Sequence, residues 1–154
     1  MVEFRISIAK AEDTELLVKH RLSMWSDIHP ELRKEVQELE EPTRWWIKKK
    51  LREGKLVGFI AKTQAGIVAG SGCVWIREQQ PRPMNPSLEA PYLMSIYTEE
   101  ALRKKGVARF IVQSAIDWCK EHGYSTITLH ASEAGFPLYA ALGFKPTSEM
   151  RKTL

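Results

Sequence analysis

The chain has 154 residues, 44% of them hydrophobic and 27% charged, with a net charge of +4 and a pI near 9.1. That length suits one domain (1–154) with one substantial core, and that composition excludes a disordered chain. No apolar run approaches the ~20 residues needed to cross a bilayer, and Met1-Val2-Glu3-Phe4-Arg5 lacks the basic start and apolar centre of a secretory leader, so a cytoplasmic, membrane-free protein is expected, with Cys73 and Cys119 as buried free thiols.

Phe4-Arg5-Ile6-Ser7-Ile8 alternates apolar and polar residues and reads as a half-buried strand. Asp13 or Thr14 can cap a helix that carries Leu16, Leu17, His20 and Met24 on one face. A second helical region runs from about Glu31 to Arg52, interrupted at Pro42 and stopped by Gly54. Its cationic end, Lys48-Lys49-Lys50 and Arg52, reads as a solvated face near the negative end of the helix dipole. Trp45 and Trp46 are adjacent and cannot both face the core, so one is expected to be exposed or at an interface such as that of a homodimer. Two strands follow, Leu56–Thr63 and Gly66–Arg77, joined by a turn at Gln64-Ala65-Gly66. Glu78 to Pro91 holds four prolines and no period, and reads as a loop.

Tyr92–Thr98 is an apolar strand suited to the middle of a sheet. The next helix places Val107, Phe110, Ile111, Ser114, Ala115 and Trp118 at helical spacing and ends at Gly123. Thr126–Ala131 is again a strand, Pro137–Leu142 a short helix closed by Gly143, and Phe144 with the tail is expected to form a last strand or hairpin. The unit from Tyr92 to Ala131 requires a right-handed crossover between parallel strands, whereas the earlier strands look like hairpins. The fold class is therefore α/β, with a mixed sheet.

The segment Arg103-Lys104-Lys105-Gly106-Val107-Ala108-Arg109 joins a strand to the start of a helix. The first turn of a helix has unpartnered N–H groups and the positive end of the dipole, which together attract anions. Gly106 removes the Cβ that would hold a phosphate away from the backbone, Ala108 is nearly as small, and four cations surround the point. A pyrophosphate is the natural guest. The strings of the P-loop and of the dinucleotide fingerprint are both absent.

A second motif lies downstream: strand, polar residue, and a tyrosine seven positions on, then Gly-Phe, here Ser132, Tyr139 and Gly143-Phe144. With Arg103-x-x-Gly106-x-Ala108, this pair of motifs resembles the GNAT N-acetyltransferase family, strongly from Tyr92 to Phe144 and loosely from Ile6 to Trp25. The resemblance implies a mostly antiparallel sheet whose parallel central strands splay apart, flanked by helices, with acetyl-CoA bound in the splay. By position, Ile96, Tyr97 and Thr98 would offer backbone to the pantetheine arm as if to an added strand. Arg103 and the run Lys104, Lys105, Gly106, Val107, Ala108 and Arg109 would hold the pyrophosphate. Ser132 departs from the asparagine that many relatives have at the cofactor.

The same resemblance sets Tyr139 beside the sulfur, where a phenol with a reference pKa near 10 can protonate a departing thiolate. No base is assigned: Glu99, Glu100 and Glu133 read as solvated helix-end carboxylates, and Tyr97 could order a water that takes the amine's proton. The four histidines show no metal-ligand spacing, and no serine sits in a nucleophile elbow. Aromatic residues do not interleave with the basic loop, which argues against nucleic acid. The expected activity is acetyl transfer from acetyl-CoA, without a metal, to an amine of a small molecule or protein. The competing reading is a non-catalytic acyl-CoA-binding regulatory module.

Overall fold

A computed structural model describes residues 3–154; Met1 and Val2, on which part of the leader reading rests, lie outside the described residues. The elements in chain order are β1 (Phe4–Ile8), α1 (Thr14–Ile28), α2 (Arg33–Glu38), α3 (Glu40–Arg52), β2 (Leu56–Thr63), β3 (Val68–Glu78), β4 (Glu89–Thr98), α4 (Val107–Glu121), β5 (Thr128–Leu129) and α5 (Phe136–Ala141). The strands form one five-stranded sheet in sequence order. β1 to β4 pair antiparallel, and β4 pairs parallel with β5 through the α4 crossover.

Alternation along the strands splits the apolar residues between two layers. On one face Phe59, Val74, Ile76 and Leu93 pack with Val107, Ile111, Val112, Ala115 and Cys119 of α4. On the other, Cys73 and Leu56 pack with Leu17 and Val18 of α1 and Ile47 of α3. Burying each such aliphatic side chain contributes about 1.5–3 kcal/mol. Helix α4 comes close to the sheet because Gly72 has no side chain: a Cβ there would lie 2.8 Å from Ile111 Cγ2.

Several boundaries differ from the sequence reading. The helical break falls at Leu39, and Pro42 sits in the first turn of α3, where a missing N–H leaves no bond unmade. β4 begins at Glu89, so Pro91 lies inside a strand, opposite Ile76. The expected final strand does not form: residues 145–154 have no regular structure. Pro146 cannot donate to a ladder, and the tail meets the residue after β5 through side chains instead, Glu149 accepting a bond from His130 Nε2 at 2.7 Å. β5 shrinks to two ladder residues and forms the edge of the sheet among the described residues.

The same shortness opens the molecule. The β4–β5 ladder holds only the pairs Tyr92–Thr128 and Leu93–Leu129. Beyond Leu93 the strands part, and the remaining edge of β4 has no strand beside it. β4 also carries one more residue than β3 between the Ser71–Tyr97 and Cys73–Met94 pairs. This bulge bends the strand at Ser95, whose φ of 60° lies in the left-handed region.

Candidate active site

The splay forms a cleft of about 440 Å³. Its β4 wall is Ile96, Tyr97 and Thr98, and its floor is Arg103, Lys104, Gly106, Val107, Ala108 and Arg109. Ser132, Gly135, Leu138 and Tyr139 close the β5–α5 side, and Met24, Asp27 and Ile28 of α1 form a lip. Of the residues singled out in sequence, Lys105 alone stands off the cleft lining, exposed beside the loop. Met24, Asp27 and Ile28 were not foreseen; nothing in a local pattern says which turn of α1 overhangs a strand some 70 residues later.

Helix α4 starts at Gly106, which has φ 83° and acts as its N-cap. The first bond of the helix is Phe110 N–H to the Gly106 carbonyl, at 3.0 Å. Ahead of it, the N–H groups of Lys104 through Arg109 donate to no backbone or side-chain oxygen among the described residues. Six consecutive N–H groups therefore stand unpartnered at the positive pole of α4, and all of their residues but Lys105 line the cleft. A Cβ on Gly106 would meet no protein atom within 4 Å. The open space there is available to a ligand.

Arg103 does a different job from its neighbours. Its Nη2 donates to Asp27 at 2.6 Å, its Nε to the Thr98 carbonyl at 3.1 Å, and its guanidinium lies 5.5 Å over the Tyr97 ring. It clamps the end of α1 to the end of β4. Lys104, Lys105 and Arg109 make no ion pair among the described residues and supply the uncompensated charge.

Below Tyr97 is His20, with ring centroids 4.9 Å apart. His20 is buried, its Nδ1 2.6 Å from Ser71 Oγ and its Nε2 2.9 Å from Glu99 Oε1. Glu99 can only accept, so Nε2 carries the proton and Ser71 donates to Nδ1. Burial pushes the His20 pKa down, against the opposing pull of Glu99. Glu99 is thus not the solvated carboxylate read from sequence: it anchors the histidine that supports Tyr97.

Tyr139 lines the same cleft, its ring edge-on to Phe144 at 5.9 Å. Burial raises its pKa above the usual tyrosine value by disfavouring the phenolate, so it stays protonated at neutral pH. Its hydroxyl donates to no protein group, and no buried side-chain oxygen or nitrogen lacks a partner among the described residues, so that hydroxyl faces open space. Ser132 Oγ accepts the Gly135 N–H at 3.1 Å and starts α5. Its hydroxyl proton remains free to donate.

Residues 14–144 match the acetyltransferase (GNAT) family profile. No curated protein matches the chain in sequence. Among solved structures, a GCN5-related N-acetyltransferase from Ralstonia eutropha JMP134 is 25% identical, with a TM-score of 0.90 and 99% of each chain covered. A predicted acetyltransferase with acetyl-CoA from Clostridium acetobutylicum is 23% identical at TM-score 0.86, covering 99% of this chain and 96% of that one. An aminoglycoside N-acetyltransferase in complex with CoA is 18% identical at TM-score 0.71, covering 100% and 95%.

Proposed function

Because the chain belongs to the GNAT acetyltransferase family, whose reaction is acetyl transfer from acetyl-CoA, we propose that it acetylates a primary amine of a small molecule or protein by direct attack. The observation that carries this reading is the row of six unpartnered N–H groups, Lys104 to Arg109, beside a cleft that Tyr139 also lines. The residues present fit the donor: an anion cradle for a pyrophosphate, and a free strand edge at Ile96–Thr98 for an amide-bearing arm. Acetyl-CoA, when bound, supplies the thioester whose acetyl carbon the amine attacks.

The chain's own groups then have these parts. The loop amides with Lys104, Lys105 and Arg109 bind the phosphates, while Arg103 keeps the loop against β4. Ser132 offers a hydroxyl donor from the β5 side. Tyr139, kept neutral by burial, holds the proton that the thiolate takes on leaving. Tyr97, held between His20 and Arg103, lines both this cleft and a neighbouring groove along α1 and is the group we assign to ordering a water that receives the amine's proton. Alignment of amine and thioester does the rest, and the reaction as written calls for no metal ion. We place the activity in the cytoplasm, supported by the two buried free thiols.

Tyr139→Phe tests the assignment. The ring and its packing on Phe144 are kept, so the variant should melt like the parent and bind CoA equally well. Its kcat for a confirmed acceptor should fall about 100-fold, the low end for general acids, with KM nearly constant. Unchanged kcat would remove the acid role. CoA binding with no thiol release from any amine would replace the enzyme by the non-catalytic acyl-CoA-binding module.

A further inference from the structure

Arg21 lies one helical turn before Met24 and Trp25 on α1, facing the bulge of β4. Its Nη1 donates to Ser95 Oγ at 2.7 Å, and its guanidinium stacks 5.6 Å over the Trp25 ring. No carboxylate pairs with it among the described residues. The ionisable groups that act on it from the sheet are the Cys73 thiol and the Tyr92 phenol, whose upward pull is smaller than the downward pull of burial. An arginine does not shed its proton, so its desolvation is left uncompensated. No partnerless buried nitrogen exists among the described residues, so the Nε and Nη2 hydrogens of Arg21 look out into solvent-reachable space. Ser95 is the neighbour of Ile96, which lines the donor cleft. The guanidinium therefore sits on the α1 side of the bulge, bonded to the residue next to one that lines that cleft.

We propose that Arg21, steadied by Ser95 and Trp25, is an acceptor subsite for an oxyanion, so that the amine acetylated by this chain carries a carboxylate or phosphate. This rests on the acetyltransferase reading and narrows its substrate class. The planar fork matches either anion in a bidentate manner, and the anion supplies the counter-charge that the protein withholds. The basic loop from Lys104 to Arg109, which lines the cleft without Arg21, is a separate site.

The test uses matched acceptors at pH 8: amino acids against their amides, and glucosamine 6-phosphate against glucosamine. The wild type should use at least one anionic member with a kcat/KM tenfold or more above its neutral partner. Arg21→Gln should raise KM for that member about 10- to 150-fold, the range for a hydrogen bond to a charged group. KM for acetyl-CoA and for neutral amines should hold, as should the melting temperature. Arg21→Lys, which keeps the charge and loses the fork, should fall between. Ser95→Gly removes the brace and should change the anionic preference less than Arg21→Gln does. The pair that responds identifies carboxylate or phosphate as the source. Equal or better use of every neutral partner overturns the subsite alone, as does an Arg21→Gln loss shared by neutral amines. No transfer to any amine, with CoA still bound, overturns the acetyltransferase reading beneath it.

Discussion

His20 has no exposed surface, yet both of its ring nitrogens are engaged, by Ser71 and by Glu99. Burial is the largest influence on it and lowers its pKa below the ordinary 6.5; Glu99 opposes and Lys19 reinforces this. In the pH range between the folded and unfolded values, the unfolded chain binds more protons, so stability rises with pH there. The contribution of neutral His20 is whole above about pH 6.5 and is lost as pH falls toward the folded value. Glu15, Glu89 and Glu149, held below 4.5 by their cationic partners, act only at lower pH. The melting temperature should therefore fall between pH 7 and pH 5, with a slope of up to about 1.4 kcal/mol per unit. His20→Gln should be less stable at pH 7 but flat over the same interval. A flat wild-type curve would mean that folding leaves the His20 pKa where it is in the unfolded chain, and a rise toward pH 5 that the folded histidine is charged. The sequence placed this histidine on the buried face of α1, but neither Ser71 nor Glu99 could be paired with it in advance.

At the scale of the element, α4 and its loop were the most legible part of the chain. A helix start needs particular backbone angles and unpaired donors, and both demands are met within a few consecutive residues. Gly106 and Gly123 hold φ values of 83° and 81° at the two ends of α4, and neither has protein within 4 Å of its missing Cβ. Alanine at either costs about 1–2 kcal/mol in the left-handed region. Only Gly106 borders the cleft. Gly106→Ala and Gly123→Ala should lower the melting temperature alike, and Gly106→Ala alone should weaken CoA, on the order of tenfold, in a calorimetric titration. Matched affinities in the two variants would detach the loop from the cofactor. The short strand β5 and the irregular tail were not legible in the same way. Thr126–Ala131 has strand composition throughout, and only the divergence from β4 decides that two residues of it pair.

Across the whole molecule the sheet separates two apolar layers, and the two cysteines lie in different ones, Cys73 of β3 with α1 and α3, Cys119 of α4 with the opposite face of the sheet. Burial raises their pKa values to about 12 and about 11. Thiolate is the nucleophile, so both should resist iodoacetamide in the native protein and both should react once it is unfolded, as read by intact mass. Native labelling of Cys73 would contradict its place beneath α1. The described helices include none long and apolar enough to cross a membrane. Trp45 is 63% exposed while Trp46 packs edge-on against Trp75, which is the split that adjacency on α3 demanded.

What the sequence determined by itself was short in range: a glycine where φ must be positive, small residues where a helix begins, a tyrosine seven places after Ser132. Such features are dictated by the conformational needs of a few neighbouring residues, and they are visible wherever those residues stand together. The tertiary structure alone decided the pairings that join distant segments: Arg21 to Ser95 across 74 positions, Arg103 to Asp27 across 76, His20 to Ser71 across 51. These depend on strand register and on one extra residue in β4, which turns Ser95 toward α1. Register is the outcome of many weak contacts summed over the sheet, so no local pattern announces it.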